Sequence, residues 1–330
     1  MPASVLTSTE NLSHEEWLAY RNLGIGGSDA SVVCGVNKYK APIELWMEKK
    51  GLQPPKEAGE AAYWGTRLES LIRDEFTRRT GIKVITVNQI LRSREHPFML
   101  ANLDGVYRCP THGKCIFEAK TANAYKSGEW EGDCVPTEYL LQVQHYLSVT
   151  GYNGAYIAVL IGGNTFKQKF IERDEELISM LIRYESDFWM RVQDDVPPRS
   201  DGSKACGEFL SRQYPKSKPL SKITLPDSAA ELIRQHNFAD EQMEALKEQR
   251  QKAANLLKQM LGEHELGIVG DGLIKWSTVT QERFNAKLLE AEQPDIHAKY
   301  TVKSSYRRFS IKEPTCIGIS NEHIETQIKH

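Results

Sequence analysis

The sequence predicts an α/β (α+β) fold with a helical, coiled-coil-like and small β extension at its C-terminal end. Three observations carry this. Residues 13 to 80 repeat their apolar positions at helical spacing. Between 83 and 121 the period shortens, and KVITVNQILR, FMLANLDGVYR and KCIFEAKT become short β-rich runs between turn residues. Beyond residue 225 a long stripe of Ala, Met and Leu recurs at 4-3 spacing.

Each element has a local reason. SHEEWLAYR is a short helix, a second opens at Ser28 after a Gly-rich turn, PIELWMEKK ends at Gly51, and AAYWGTRLESLIRDEFTRRT ends at Gly81. The three β-rich runs predict a small antiparallel sheet. PTEYLLQVQHYLSVTG returns to helical spacing and stops at Gly151, NGAYIAVLIGG and FKQKFIER form a hairpin around Gly162, Gly163 and Asn164, and a helix follows from 174 to 193. Pro, Gly, Ser and Lys concentrate between 194 and 225, which marks a boundary. The expected division is a domain over 1–200, a linker over 201–225 and an accessory segment over 226–330. In that segment Ser228 and Glu231 read as a capping box. Positions 239, 243, 246, 250, 253, 257 and 260 form a heptad stripe broken by Arg250, to be packed on a helix of this chain or another. Two or three strands around a helix at 285–293 complete the tail.

Composition narrows the function classes. The 42 Lys and Arg stand against 44 Asp and Glu, so the chain is no uniformly basic nucleic-acid binder, and any DNA partner meets a local patch. The first residues lack the charged and apolar regions of a secretory signal, and no apolar run approaches the roughly 20 residues of a membrane helix. An intracellular protein without a membrane partner is expected. Six cysteines scattered over 330 residues read as reduced thiols.

LDGVYRCPTHGKCIFEAK, residues 103 to 120, holds two candidate sites. Glu118 and Lys120 are two apart on a strand and share a face. A turn at about residue 111 sets Asp104 opposite Glu118, with Cβ atoms roughly 5 Å apart. Two carboxylates so close repel unless a cation relieves them, and oxygen ligands select Mg²⁺ or Mn²⁺. Lys120 beside the ion can orient or deprotonate a water, with its pKa lowered by the cation and by burial. The plain alternative is a surface hairpin with cross-strand charges. Cys109, His112 and Cys115 supply three soft ligands where structural zinc takes four, in a segment that is also good turn chemistry.

Glu69 in GTRLE, Asp104 in LDG, Glu118-Ala119-Lys120 in FEAK, and Gln142 and Tyr146 in QVQHY resemble the PD-(D/E)XK nuclease pattern. With RNLGIGGSDAS near the start, the chain resembles the YqaJ-type viral recombinases, relatives of phage lambda exonuclease, over about residues 15–195. The resemblance implies a restriction-endonuclease-like core, a central mixed sheet flanked by helices. It implies two Mg²⁺ (or Mn²⁺) ions held by Asp104, Glu118, the Ala119 backbone carbonyl and Glu69, with Lys120 serving the nucleophilic water. Glu69 also reads as the end of a Thr66-x-x-Glu69 capping box, although it borders a buried helical stripe.

By the same resemblance Arg21 and Ser28 hold the 5′-phosphate of the digested strand, with Ser28 as a helix N-cap offering donors to an anion and Asp29 beside it an unhelpful charge. Gln142, Gln144 and Tyr146 line the site and touch DNA, Gln142 and Tyr146 being four apart on one helical face. Lys126 reads as a phosphate contact or a plain surface lysine.

The implied activity is a Mg²⁺-dependent exonuclease working 5′-to-3′ on linear double-stranded DNA in phage-type recombination. The implied setting is the cytoplasm of a bacterial host, the gene carried by a phage or prophage. A single-strand annealing partner of the RecT or Bet kind and a homo-oligomer go with it. KYTVKSSYRRFSIK, 299 to 312, has five cations and no acid among aromatics and offers further DNA contacts. An endonuclease with the same core, or a non-catalytic DNA-binding or assembly module, are the alternatives.

Overall fold

A computed structural model describes residues 2–53 and 59–311. The chain divides into two compact units, Met1–Gln213 and Tyr214–His330. No helix among the described residues is long and apolar enough to cross a membrane.

The first unit runs β1 (Ala3–Ser8), α1 (His14–Arg21), β2 (Ile25–Gly26), α2 (Gly27–Val33), α3 (Pro42–Lys49), α4 (Glu60–Thr80), β3 (Gln89–Ser93), β4 (Met99–Asn102), β5 (Gly105–Cys109), β6 (Gly113–Ala122), α5 (Thr137–Thr150), β7 (Gly154–Ile161), β8 (Thr165–Glu172), α6 (Glu175–Gln193) and α7 (Lys204–Gln213). The helices stop where expected, with Gly51, Gly81 and Gly151 all at positive φ.

The β region is larger and less uniform than a small antiparallel sheet. One sheet has the order β1-β3-β4-β2 and a second the order β5-β6-β7-β8. In the second, β6 and β7 are parallel, with α5 in the connection, whereas β5–β6 and β7–β8 are antiparallel. The arrangement is mixed, as the resemblance implies. The near-continuous apolar run of β7 suits a strand covered on both faces. On one face Ile116, Ile157 and Val159 pack with Val143 and Leu147 of α5. On the other, Phe117 and Ala158 pack with Ile72 and Phe76 of α4.

FMLANLDGVYR reads as one strand and forms two, in different sheets, broken at Leu103 and Asp104. Gly105 sits against the 84–85 backbone, where an added Cβ would stand 2.5 Å from Val84 Cγ1. Of the stretch 83–88, only Ile85 bridges to Val106. The break leaves Asp104 outside the ladder, with its side chain free for other bonds. In the stretch read as linker, α7 instead forms a helix whose Ala205, Cys206 and Phe209 are buried, tied to α3 by Arg212 on Glu44 at 2.7 Å.

A buried polar pair joins three elements of this unit. His145 of α5 and Glu185 of α6 are both fully buried, at 2.8 Å, and the other ring nitrogen lies 2.8 Å from the Leu100 carbonyl of β4. Both partners accept, so both ring nitrogens donate. Burial opposes the charge, but the Glu185 carboxylate outweighs it and holds the imidazole above its ordinary pKa.

The second unit holds α8 (Ala229–Leu261), β9 (Leu266–Val269), β10 (Gly272–Lys275), α9 (Ala286–Glu292) and α10 (Pro294–Tyr300). The Ser228 side chain makes no cap bond, and Glu231 pairs with Arg234 instead, so the expected capping box does not form. Residues 301–311 carry no strand, Tyr300, Tyr306 and Phe309 are exposed, and Lys312 lies outside the described residues.

Glu185→Ala removes the carboxylate that keeps the buried imidazole charged, so the ring loses its proton and Nδ1 is left buried without that partner. The expected loss is about 3–5 kcal/mol of unfolding free energy, read by urea denaturation near neutral pH.

Candidate active site

The site forms where the broken strand meets β6. Gly105 pairs with Phe117, so one step further Asp104 stands across from Glu118, as the turn arithmetic predicts. Asp104 Oδ2 accepts the Ala119 N–H at 2.8 Å. Glu118 Oε1 accepts from Lys120 Nζ and from Gln142 Nε2, each at 2.6 Å, and Gln142 Nε2 also donates to the Tyr146 hydroxyl at 3.1 Å. Glu118 Oε2 is buried and has no hydrogen-bond partner among the described residues. Lys120 Nζ lies 5.1 Å over the Tyr139 ring.

Burial and mutual repulsion dominate the electrostatics. Burial, then the Asp104 charge, push Glu118 up to about 8 despite Lys120. Burial also raises Asp104, against the pull of Lys120 and the Ala119 N–H. For Lys120 burial works downward, but Glu118 and Asp104 together keep it above its ordinary value. This reverses the expected lowering, because the carboxylates face Lys120 directly.

Glu69 on α4 lines the same cavity, 3.9 Å from Arg73. Burial and the Asp104 charge raise it to about 7. Thr66 is inside α4 and donates back to the Ala62 carbonyl at 3.2 Å, so the helix does not start there and the capping-box reading fails.

The candidate phosphate residues open onto this cavity of about 440 Å³. Arg21 Nη2 donates to Ser28 Oγ at 2.7 Å and its guanidinium lies 4.9 Å over Trp17. Ser28 is not the N-cap: Gly26 is, and Ser28 lies in the first turn of α2. Asp29 is buried, accepts the Gly26 N–H at 3.1 Å and pairs with Lys49 at 2.8 Å. Although burial alone would raise it, Lys49 and Arg21 hold its carboxyl well below the usual range. Part of its charge also meets Arg21, whose Nη2 lies 3.6 Å from Asp29 Oδ1, so the guanidinium that bonds Ser28 is shared with this carboxylate. A Cβ on Gly27 would stand 2.4 Å from the Tyr146 ring, so α2 rests directly on the Gln142–Tyr146 face.

Other expectations separate. Gln144 does not reach the cavity: its amide nitrogen donates to the Glu172 carbonyl at 2.7 Å and its oxygen accepts the Asp174 N–H at 3.0 Å. It ties α5 to the start of α6. Cys109 meets Thr111 at 3.1 Å and lies within hydrogen-bonding reach of the buried Cys115, but the His112 ring turns onto Phe170, centroids 4.8 Å apart, so the three do not gather as one ligand set. Lys126 donates to the Tyr39 hydroxyl at 2.9 Å. Trp17, Asn102, Thr121 and Tyr139 line the cavity without having been singled out. Trp17, four residues before Arg21 on one helical face, carried a readable signal.

Among the described residues no three or more His, Cys, Asp or Glu side chains are gathered tightly enough to hold an ion by themselves. The donor set nevertheless fits a hard divalent cation. It is all oxygen, Glu118 has a buried oxygen lacking a partner, and the carboxylates raise one another's pKa for want of positive charge.

The YqaJ-like viral recombinase domain profile matches residues 16–153. The chain is similar to YqaJ of Bacillus subtilis (strain 168), 42% identical over 315 residues that span 94% of this chain and 98% of that one. It belongs to the YqaJ-like viral recombinase family. This YqaJ-like chain is also similar to protein R354 of Acanthamoeba polyphaga mimivirus, 28% identical over 146 residues that span 41% of this chain and 26% of the viral one. Among solved structures, the alkaline exonuclease LHK-Exo of Laribacter hongkongensis is similar at 22% identity and a TM-score of 0.47, over 60% of this chain and 97% of that one.

The raised carboxylates of this YqaJ-like site set a pH dependence. In the metal-free fold Glu118 keeps a proton up to about 8, whereas the unfolded chain releases it near 4.5. Between those values the folded state binds more protons, so stability is greatest below the window and falls as pH rises through it. In EDTA the Tm is expected to drop as pH rises from about 4.5 to about 8 and to level off above that, with Glu118→Gln removing much of the drop and Mg²⁺ opposing it.

Proposed function

We propose that the chain is a metal-dependent deoxyribonuclease that digests one strand of linear double-stranded DNA from its 5′ end. One observation carries this reading. The unpartnered Glu118 oxygen, with Asp104 and Lys120, shares a single cavity with the Arg21–Ser28 pair. Hydrolytic groups and an anchor for a terminal phosphate therefore lie within reach of one nucleotide. An endonuclease needs no such anchor.

Asp104, Glu118, Glu69 and the Ala119 carbonyl would hold two Mg²⁺ or Mn²⁺ ions, which supply Lewis acidity at the scissile phosphate and ease deprotonation of water. Gln142, itself bonded to Tyr146, holds one Glu118 oxygen and leaves the buried second oxygen for an ion. Lys120 is an ammonium group here, so it orients the attacking water and offsets charge growing on the phosphate, donating from Nζ. Arg21 and the Ser28 hydroxyl bind the 5′-phosphate and set the register of cleavage. Lys299, Lys303, Arg307 and Arg308 add contacts to DNA outside the site.

In this reading residues 1–200 form the nuclease domain and 226–330 an accessory segment. A homo-oligomer works with an annealing protein of the RecT or Bet kind in the cytoplasm of a bacterial host, the gene carried by a phage or prophage.

On end-labelled linear duplex with Mg²⁺, the chain is expected to release nucleotides from the 5′ end and to leave covalently closed circles intact. Lys120→Ala is expected to cost about 10²- to 10⁴-fold in rate. Nicking of circles overturns the exonuclease assignment, and failure to cut any DNA with either cation overturns the nuclease. Arg21→Ala is expected to abolish the preference for 5′-phosphorylated over 5′-hydroxyl ends while retaining hydrolysis. Gln144→Ala is expected to lower Tm and leave the rate per folded molecule near that of the natural chain.

A further inference from the structure

Among the described residues of its unit, the heptad stripe of α8 is left largely uncovered. Other contacts take a different face: Leu261 packs against Gly267, and Lys258 Nζ lies 5.6 Å over Trp276. Phe309 touches the stripe only beside its end, at His236. Leu232, Met243, Leu246, Leu257 and Met260 all remain exposed, Leu246 at 62% and Met260 at 80%. Over 33 residues the helix is about 50 Å long. A surface helix covered on one side and apolar along a second seam is built for another helix.

The residues on the seam choose among arrangements. In a parallel pair each position meets itself, so Arg250 faces Arg250 and Ala239 and Ala253 face their own copies, giving one repulsion and two voids. In an antiparallel pair with its two-fold axis between residues 244 and 245, each seam position meets the one whose number makes a sum of about 489. Met243 then faces the partner's Leu246, and Leu232 the partner's Leu257. Ala239 faces the partner's Arg250, Ala253 the partner's His236, and Ala229 the partner's Met260. Every small residue meets a long one. Along the flank, Asp240 falls beside the partner's Lys247, and Arg250 comes near the partner's Asp240. Within one chain these charges make only exposed local pairs, His236–Asp240 at 3.5 Å and Lys247–Glu244 at 2.5 Å, which contribute little and are readily exchanged.

We infer that α8 joins α8 of a second copy as an antiparallel two-stranded coiled coil, making this segment the dimerisation element of the protein. The inference stands apart from the nuclease reading and needs nothing from the first unit.

Sedimentation equilibrium on the full chain at tens of micromolar tests it. The expected mass is an even multiple of one chain, and Leu246→Glu at the axis is expected to halve it with the helical circular dichroism unchanged. Arg250→Glu is expected to weaken the pair about tenfold through repulsion with Asp240, and Arg250→Glu with Asp240→Arg to restore it. A natural chain that is monomeric, or a mass unmoved by Leu246→Glu, overturns the proposal. Reversal at Arg250 without rescue by Asp240→Arg overturns the antiparallel arrangement, and this comparison also decides the matter should Leu246→Glu perturb folding.

Discussion

A carboxylate cannot be taken out of water without an answering charge or donor, and Glu118 is out of water. Three features follow from that constraint. Lys120 lies against one oxygen, Gln142 reaches the same oxygen and is itself shared with Tyr146, and the second oxygen keeps an unmet demand. Asp104 across the strands sharpens the demand, and Glu69 on α4 adds to it. A site this short of positive charge is poised for a hard cation, and the surrounding packing keeps it short by denying it solvent. The strain is local because the sheet beneath is covered on both faces by apolar side chains.

The anion side of the cavity answers the opposite problem. A phosphate needs donors and positive charge without a competing carboxylate, yet Asp29 is the immediate neighbour of Ser28. The fold answers this in part by burying Asp29 onto Lys49 and the Gly26 N–H, while Asp29 also meets Arg21 at 3.6 Å. Close packing of Gly27 on Tyr146 then joins the two halves of the cavity, leaving no room for a side chain between them. In the proposed reading binding and hydrolysis would share a wall, with their spacing set by that contact.

The two units differ in how they meet the need for burial. The first closes a core around two sheets and adds α7 through buried Phe209 and the Arg212–Glu44 pair. The second is dominated by one long helix with a hairpin against it, and much of its apolar surface stays in solvent.

By itself the sequence determined the helices from 13 to 193 and the long helix beyond 228, their glycine stops, the β6–β7–β8 region and the pairing of Asp104 with Glu118. Periodicity, turn chemistry and register are local properties, and a hairpin's arithmetic needs only its turn. Tertiary structure alone decided that β6 and β7 run parallel, that 98–108 splits between two sheets, and that 204–213 is a helix. It also removed Gln144 from the site and made Ser28 a first-turn residue. Each of these depends on which surface a segment meets. Gln142 and Gln144 have the same chemistry and lie two residues apart, but one turns toward Glu118 and the other toward the backbone at 172 and 174. No property of either residue encodes that difference, because the hydrogen-bond partners come from segments 24 to 30 residues away along the chain and are brought near only by the packing of the whole unit.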